Sequence, residues 1–126
     1  MNKQTIYNTR WMIKQREKGL CQFCIQPKLP DNSLCEKHYF LSVATQIGDR
    51  KLANDIKDIF YAQEGKCYLS GEKLILGKNT SIDHVIPISV SPELRNHLGN
   101  LRWTTEKINR FKNEFTYGEL IDICKN

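Results

Sequence analysis

Two sets of side chains in this 126-residue sequence have types and spacings suited to chemistry. One is Asp83-His84, followed by Asn100 and Asn109. A carboxylate can hold a hard cation, and an imidazole next to it on a strand points to the opposite face. The pair can therefore divide metal binding from proton abstraction. The other set is Cys21-x2-Cys24 and, ten residues on, Cys35-x2-His38. Two close pairs of soft ligands suit a tetrahedral zinc ion, each pair chelating from one turn while the loop between them returns the chain. Buried cysteines beside a surface histidine are the alternative for this second set.

The surrounding residues sharpen the first set. Cys67-Tyr68-Leu69-Ser70-Gly71 precedes a strand, Pro87 follows Asp83-His84, Asn100-Leu101 opens a second strand, and Asn109 and Lys112 lie within a helix. From about Cys67 to Asn113 this order and spacing resembles the HNH, or ββα-metal, endonuclease family in its Asp-His, Asn, Asn form. The resemblance implies an enzyme that hydrolyses DNA phosphodiesters, leaving 5′-phosphate and 3′-hydroxyl ends. It implies that His84 is the general base, that Asp83 and Asn109 bind the catalytic divalent ion, and that Asn100 cross-links the loop and steadies His84. Mg²⁺ is expected there, with Mn²⁺ or another divalent ion able to serve, because a sparse oxygen site discriminates poorly. Many relatives carry a second zinc on two Cys-x2-Cys pairs. Here Ser70 stands at the partner position of Cys67, so Cys67 and Cys124 are expected to be buried thiols.

Arg95, Arg102, Arg110 and Lys112 are candidate phosphate contacts around this set, each of which could equally be a solvated charge; His97 is a loop residue or a further phosphate contact. Lys112 stands one turn beyond Asn109 on the same helical face.

Charge points to an anionic partner. The net charge is +5, and residues 1 to 28 hold six basic side chains against the single acid Glu17, while residues 29 to 66 balance at −1 and 67 to 126 at +1. DNA, in double-stranded form, would meet the N-terminal arm first, through Arg10 and Lys14. No stretch approaches the roughly 18 apolar residues of a membrane span, and the N-terminus lacks the apolar run of a secretory signal. Five cysteines without such a signal argue for metal ligands or free thiols, not disulfides. A cytoplasmic protein, associated with a nucleoid or a phage or other mobile element and either monomeric or homodimeric, is expected.

The elements that must position these groups follow from periodicity. Ile6 to Lys18 reads as a helix stopped by Gly19, with Tyr7, Trp11 and Lys14 on one face that either lies against DNA or docks on the core. Glu36 to Ile47 reads as a second helix, broken by Gly48-Asp49, and Arg50 to Gln63 as a third, capped by Asp49. Nothing in this pair suggests chemistry. Ser81 to Val85 and Asn100 to Trp103 read as short strands on either side of an irregular loop, and a helix capped by Thr104 or Thr105 runs to about Glu114. Thr116-Tyr117-Gly118-Glu119 signals a last helix. Trp103, Ile108, Phe111 and Phe115 are expected to brace the unit. The fold class is α+β: a mainly helical chain with a small ββα core and an N-terminal zinc-binding unit. The boundary is expected between residues 1–48 and 49–126. A non-catalytic, zinc-dependent nucleic-acid-binding or regulatory module is the competing reading, and a nuclease directed at RNA a third.

Overall fold

A computed structural model of the chain describes residues 3–112, with side chains from Thr9 onward. The architecture is small and α+β: four helices and one two-stranded antiparallel sheet among the described residues. Helix α1 spans Lys3–Glu17, α2 Glu36–Ile47, α3 Ala53–Ala62 and α4 Glu106–Lys112; strand β1 spans Thr80–His84 and β2 Leu101–Thr105. The capping signal at Thr116 to Glu119, together with Phe115 and Cys124, lies outside the described residues, as does the side chain of Tyr7.

Helix α2 begins where Cys35, in extended conformation, takes the N-cap position, and ends at Gly48 with φ at +110°. A left-handed residue there lets the Gly48 N–H reach the carbonyls of Ala44 and Thr45, which satisfies the helix end. Phe40, Ala44 and Ile47 recur at helical spacing and are buried. The third helix is shorter than its periodicity suggests. Arg50–Leu52 forms a tight 3-10 turn, capped by the Asp49 carboxylate on the Lys51 N–H, before α3 proper begins. Ala53, Ile56 and Phe60 then face inward.

These two helices cover one face of the sheet. Phe40, Phe60 and Trp103 pack edge to face, with ring centroids 5.7 to 6.0 Å apart. Trp103 is fully buried, and its indole N–H donates to the Ile56 carbonyl at 2.7 Å. One continuous core thus joins α2, α3 and β2 across residue 48. Phe111 is not part of it. It is 60% exposed, because α4 turns Ile108, Asn109 and Lys112 toward the sheet and carries Phe111 around to solvent. The bracing expected of Phe111 falls to Phe40 and Phe60.

In the sheet, Thr80 pairs with Thr105, Asp83 with Arg102, and His84 with Leu101. Strand β1 begins and ends one residue earlier than expected, and β2 begins one residue later and ends two later. The outer edge of β2 is covered by Gln63, whose side-chain amide accepts from the Trp103 N–H at 2.8 Å and donates to its carbonyl at 2.9 Å. The amide acts as a one-residue strand. Residues 85–100 connect the strands and contain two 3-10 turns, Pro92–Leu94 and Leu98–Asn100. Thr105 closes β2 and caps α4, its hydroxyl accepting from the Ile108 N–H. Strand, loop, strand and helix therefore follow directly on one another.

Candidate functional site

The Cys21, Cys24, Cys35 and His38 ligand atoms all lie within 4.8 Å of one another. Cys24 and Cys35 Sγ are 3.7 Å apart, and His38 Nδ1 lies 3.5 Å from Cys21 Sγ and 3.2 Å from Cys35 Sγ. Tetrahedral bonds of about 2.3 Å to sulfur and 2.0–2.1 Å to nitrogen require edges of about 3.8 Å between sulfurs and about 3.5 Å from sulfur to nitrogen. The donor set fits a zinc ion in type and separation.

Local structure explains the convergence. A bridge between Leu20 and Pro27 closes the turn that carries Cys21 and Cys24. The N–H groups of Phe23 and Gln26 point at the sulfurs two residues before them, both at 3.4 Å. Cys35 and His38 come from the cap and first turn of α2. Burial raises the Cys21 thiol, but hydrogen bonds from the backbone at Cys35 and Phe23, joined by those of the Cys35 and Cys24 thiols, bring that group below its ordinary value. Burial, joined by the neighbouring Cys21 and Cys24 thiols, raises Cys35. Clustered sulfurs oppose one another's ionisation, and a cation at their centre removes that opposition.

One supporting residue was not legible in the sequence. Gln15 on α1 is buried, and its amide donates to the carbonyls of Cys21 at 3.3 Å and Cys24 at 2.9 Å. It fastens the basic helix to the turn that carries Cys21 and Cys24. Asn32 fastens the other side, donating to the Gly77 carbonyl at 3.2 Å just before β1. Gly77 has φ at +79°, and a Cβ there would fall 2.8 Å from that of Asn32, so glycine is required for the approach.

The second site lies at the end of β1. Asp83, His84 and Asn109 line one open cleft of about 220 Å³, with Pro87, Ile88 and Ser89 on its loop side. His84 Nε2 is 2.9 Å from the Arg95 carbonyl. Asn100 is buried and pairs with the Ile86 backbone in both directions: its Oδ1 accepts from the Ile86 N–H at 2.7 Å, and its Nδ2 donates to the Ile86 carbonyl at 3.0 Å. The loop leaving His84 is thereby fixed. The Asn109 amide nitrogen is held by the Ser81 hydroxyl at 2.7 Å and more loosely by the Ile82 carbonyl at 3.4 Å. No described residue donates to its Oδ1, so that oxygen is available as a ligand.

Asp83 is the most constrained member. It is buried, accepts from the Tyr68 hydroxyl, and sits 3.1 to 3.2 Å from the Lys112 ammonium through both carboxylate oxygens. Lys112 is fully buried and also donates to the carbonyls of His84 at 2.9 Å and Val85 at 3.4 Å. An ammonium has three protons, and all are directed inward. As to a hard cation, the oxygen donors fit in type. Tyr68 and Lys112 face both lone-pair sites of Oδ2, whereas Lys112 alone faces Oδ1, which keeps one position, and Asp83 shares the cleft with Asn109.

The other basic candidates are dispersed. The Arg95 guanidinium donates to the Ile47 carbonyl at 2.8 Å, and that of Arg102 to the Leu101 carbonyl at 2.6 Å. Arg110 is exposed and 3.9 Å from Glu106. Arg10, Lys14 and His97 are exposed. Trp11 is 37% exposed and Ile13 half exposed on α1. Cys67 is buried against the Thr104 hydroxyl at 3.1 Å. Among the described residues, the Cys3His set is the one group of such side chains arranged to hold a metal. No helix there is long and apolar enough to cross a membrane. In comparisons with known proteins, no family model matches the chain and no curated protein matches it.

Proposed function

We propose that this chain is a metal-dependent endonuclease of the ββα-metal (HNH) type that hydrolyses DNA phosphodiester bonds. The observation that carries this reading is the contact between His84 Nε2 and the Arg95 carbonyl, 2.9 Å long. A carbonyl has no proton to give, so Nε2 carries the hydrogen, and in the neutral imidazole Nδ1 is then the nitrogen with the lone pair. His84 is thus oriented as a base, beside a carboxylate and an amide oxygen in the same cleft. The direct succession of β1, loop, β2 and α4 supports the same reading.

In the proposed reaction His84 Nδ1 takes the proton of the attacking water. Asn100 and Arg95 act as positioning residues, holding the loop and the ring. Asp83 and Asn109 Oδ1 would hold a divalent ion, Mg²⁺ or Mn²⁺. When bound, that ion supplies positive charge at the phosphate oxygens and the departing alkoxide. Lys112 fixes the Asp83 carboxylate, and the Cys3His group would hold a structural Zn²⁺ that orders the segment before α2. The test is cleavage of supercoiled plasmid by the purified chain with Mg²⁺. His84→Ala is expected to slow it by about 100-fold or more, the usual scale for a general base. Undiminished cleavage by that variant would sink the assignment.

The ion pair between Lys112 and Asp83 favours one other reading, a zinc-dependent nucleic-acid-binding or regulatory module without catalysis, since an internal cation already neutralises the carboxylate. DNA binding with no hydrolysis in Mg²⁺, Mn²⁺ or Ni²⁺ would select it.

A further inference from the structure

Between residues 36 and 62 the sequence holds four basic side chains, Lys37, Arg50, Lys51 and Lys57, and four acids, Glu36, Asp49, Asp55 and Asp58. The sum is zero, yet the fold separates the signs. All four cations line a single cleft of about 520 Å³ between α2, the Arg50–Leu52 turn and α3, over an apolar floor that includes Phe40 and Leu41. None of the four acids lines it. Two acids are engaged elsewhere: Glu36 accepts from the Tyr61 hydroxyl, and Asp49 caps the Lys51 N–H. The four basic residues are exposed, and none forms a salt bridge with a described residue.

This cleft is one of three adjoining depressions with shared walls, the last of which reaches His84. Leu41 and Arg50 also line a neighbouring depression, which holds the half-exposed Phe23 ring. Ser42 and Gln46 in turn join that depression to a cleft of about 430 Å³ that reaches Ser81 and His84. That last cleft has hydroxyl, amide and aliphatic walls, and its ionisable members are Tyr39, His84 and Glu106. The three depressions therefore pass around α2, from four cations without a salt bridge among the described residues, past an exposed aromatic ring, to the proposed base. Cations spaced over a cleft attract a polyanion, an exposed ring can stack a base, and uncharged polar walls suit sugar and base edges better than phosphate.

We infer that the cleft lined by Lys37, Arg50, Lys51 and Lys57 is a docking site for the phosphodiester backbone of a nucleic acid, which is led from there along α2 toward His84. The inference rests on the nuclease reading for its direction but not for its binding chemistry, so binding is measured apart from cleavage. The full chain is titrated with labelled duplex DNA and with a single strand of equal length, without added divalent ion or chelator, across a range of salt. The quadruple variant Lys37→Gln, Arg50→Gln, Lys51→Gln, Lys57→Gln is compared with Lys18→Gln, Lys66→Gln, Lys73→Gln, Lys78→Gln, which has the same net charge. On duplex DNA the cleft variant is expected to lose affinity at least about 10-fold near physiological salt, and its salt slope to fall by about three to four, as four released counterions require. The control variant should change both far less. Equal losses in the two variants, an unchanged slope in the cleft variant, or no binding by the parent chain would overturn the inference. Cleft-dependent binding without cleavage by any divalent ion would support the cleft and remove the nuclease reading. The strand that shows the larger cleft-dependent slope identifies the form of nucleic acid the cleft accepts.

Discussion

The Cys3His cluster and the His84 cleft both gather ligand-type side chains, and they do so in opposite ways. In the cluster four donor atoms converge within 4.8 Å and face one another. Backbone N–H groups support the sulfurs, and Gln15 ties the turn to α1. In the cleft the donors are kept apart. Asp83 is bound by an internal ammonium, Asn109 presents one oxygen, and His84 presents one nitrogen. A closed set of soft donors consumes every coordination position and so contributes to folding, whereas a sparse set leaves positions for water and a ligand. The same chain thus arranges metal-ligating residue types in one closed set and one open one.

The sharpest way to break this contrast is at the cluster. Cys35→Ser, or chelation of the native chain, should release about one zinc per chain and abolish hydrogen-exchange protection over residues 20–35. Structural zinc binding in small modules is worth about 10–16 kcal/mol in apparent terms, and that segment contains no helix or strand of its own. Retained protection after chelation would mean that the turn folds without metal. The next effect belongs to the cleft. Lys112→Met leaves a buried carboxylate without its partner and should lower stability by about 3–5 kcal/mol in urea unfolding. Combining it with Asp83→Leu should restore most of the loss, since an apolar pair of similar volume removes the uncompensated charge. A loss under about 1 kcal/mol would show that solvent reaches the pair. Tyr68→Phe should have the smallest effect, about 1.5 kcal/mol, the scale of one hydrogen bond to a charged group. If it instead cost as much as Lys112→Met, the tyrosine and not the lysine would be the main support of Asp83.

Helices α2 and α3 were legible from the sequence because Phe40, Ala44 and Ile47, and likewise Ile56 and Phe60, repeat at helical spacing between strong stops. The Cys3His set was legible for a related reason: paired spacings fix which side chains can meet one ion. Lys112 shows where such reasoning stops. Its position on the face of Asn109 was clear, but a lysine beside a cleft reads as a surface charge until three acceptors, one carboxylate and two carbonyls, are found converging on it. Gln15 and Gln63 were illegible because an amide that binds backbone has no sequence period. The four cations near α3 were hidden by arithmetic, since a linear charge count cancels groups that the fold turns to different sides.

Arg95 links these scales. Its carbonyl receives the His84 ring, and its guanidinium grips the carbonyl of Ile47 at the last turn of α2. The first turn of that same helix carries His38, after Cys35 at its cap. Twelve residues, about 18 Å of helix, therefore join the Cys3His group at one end to the residue that receives the imidazole at the other. Displacing either anchor would be felt at the other, so order in the Cys3His turn and the placement of the His84 ring are expected to change together.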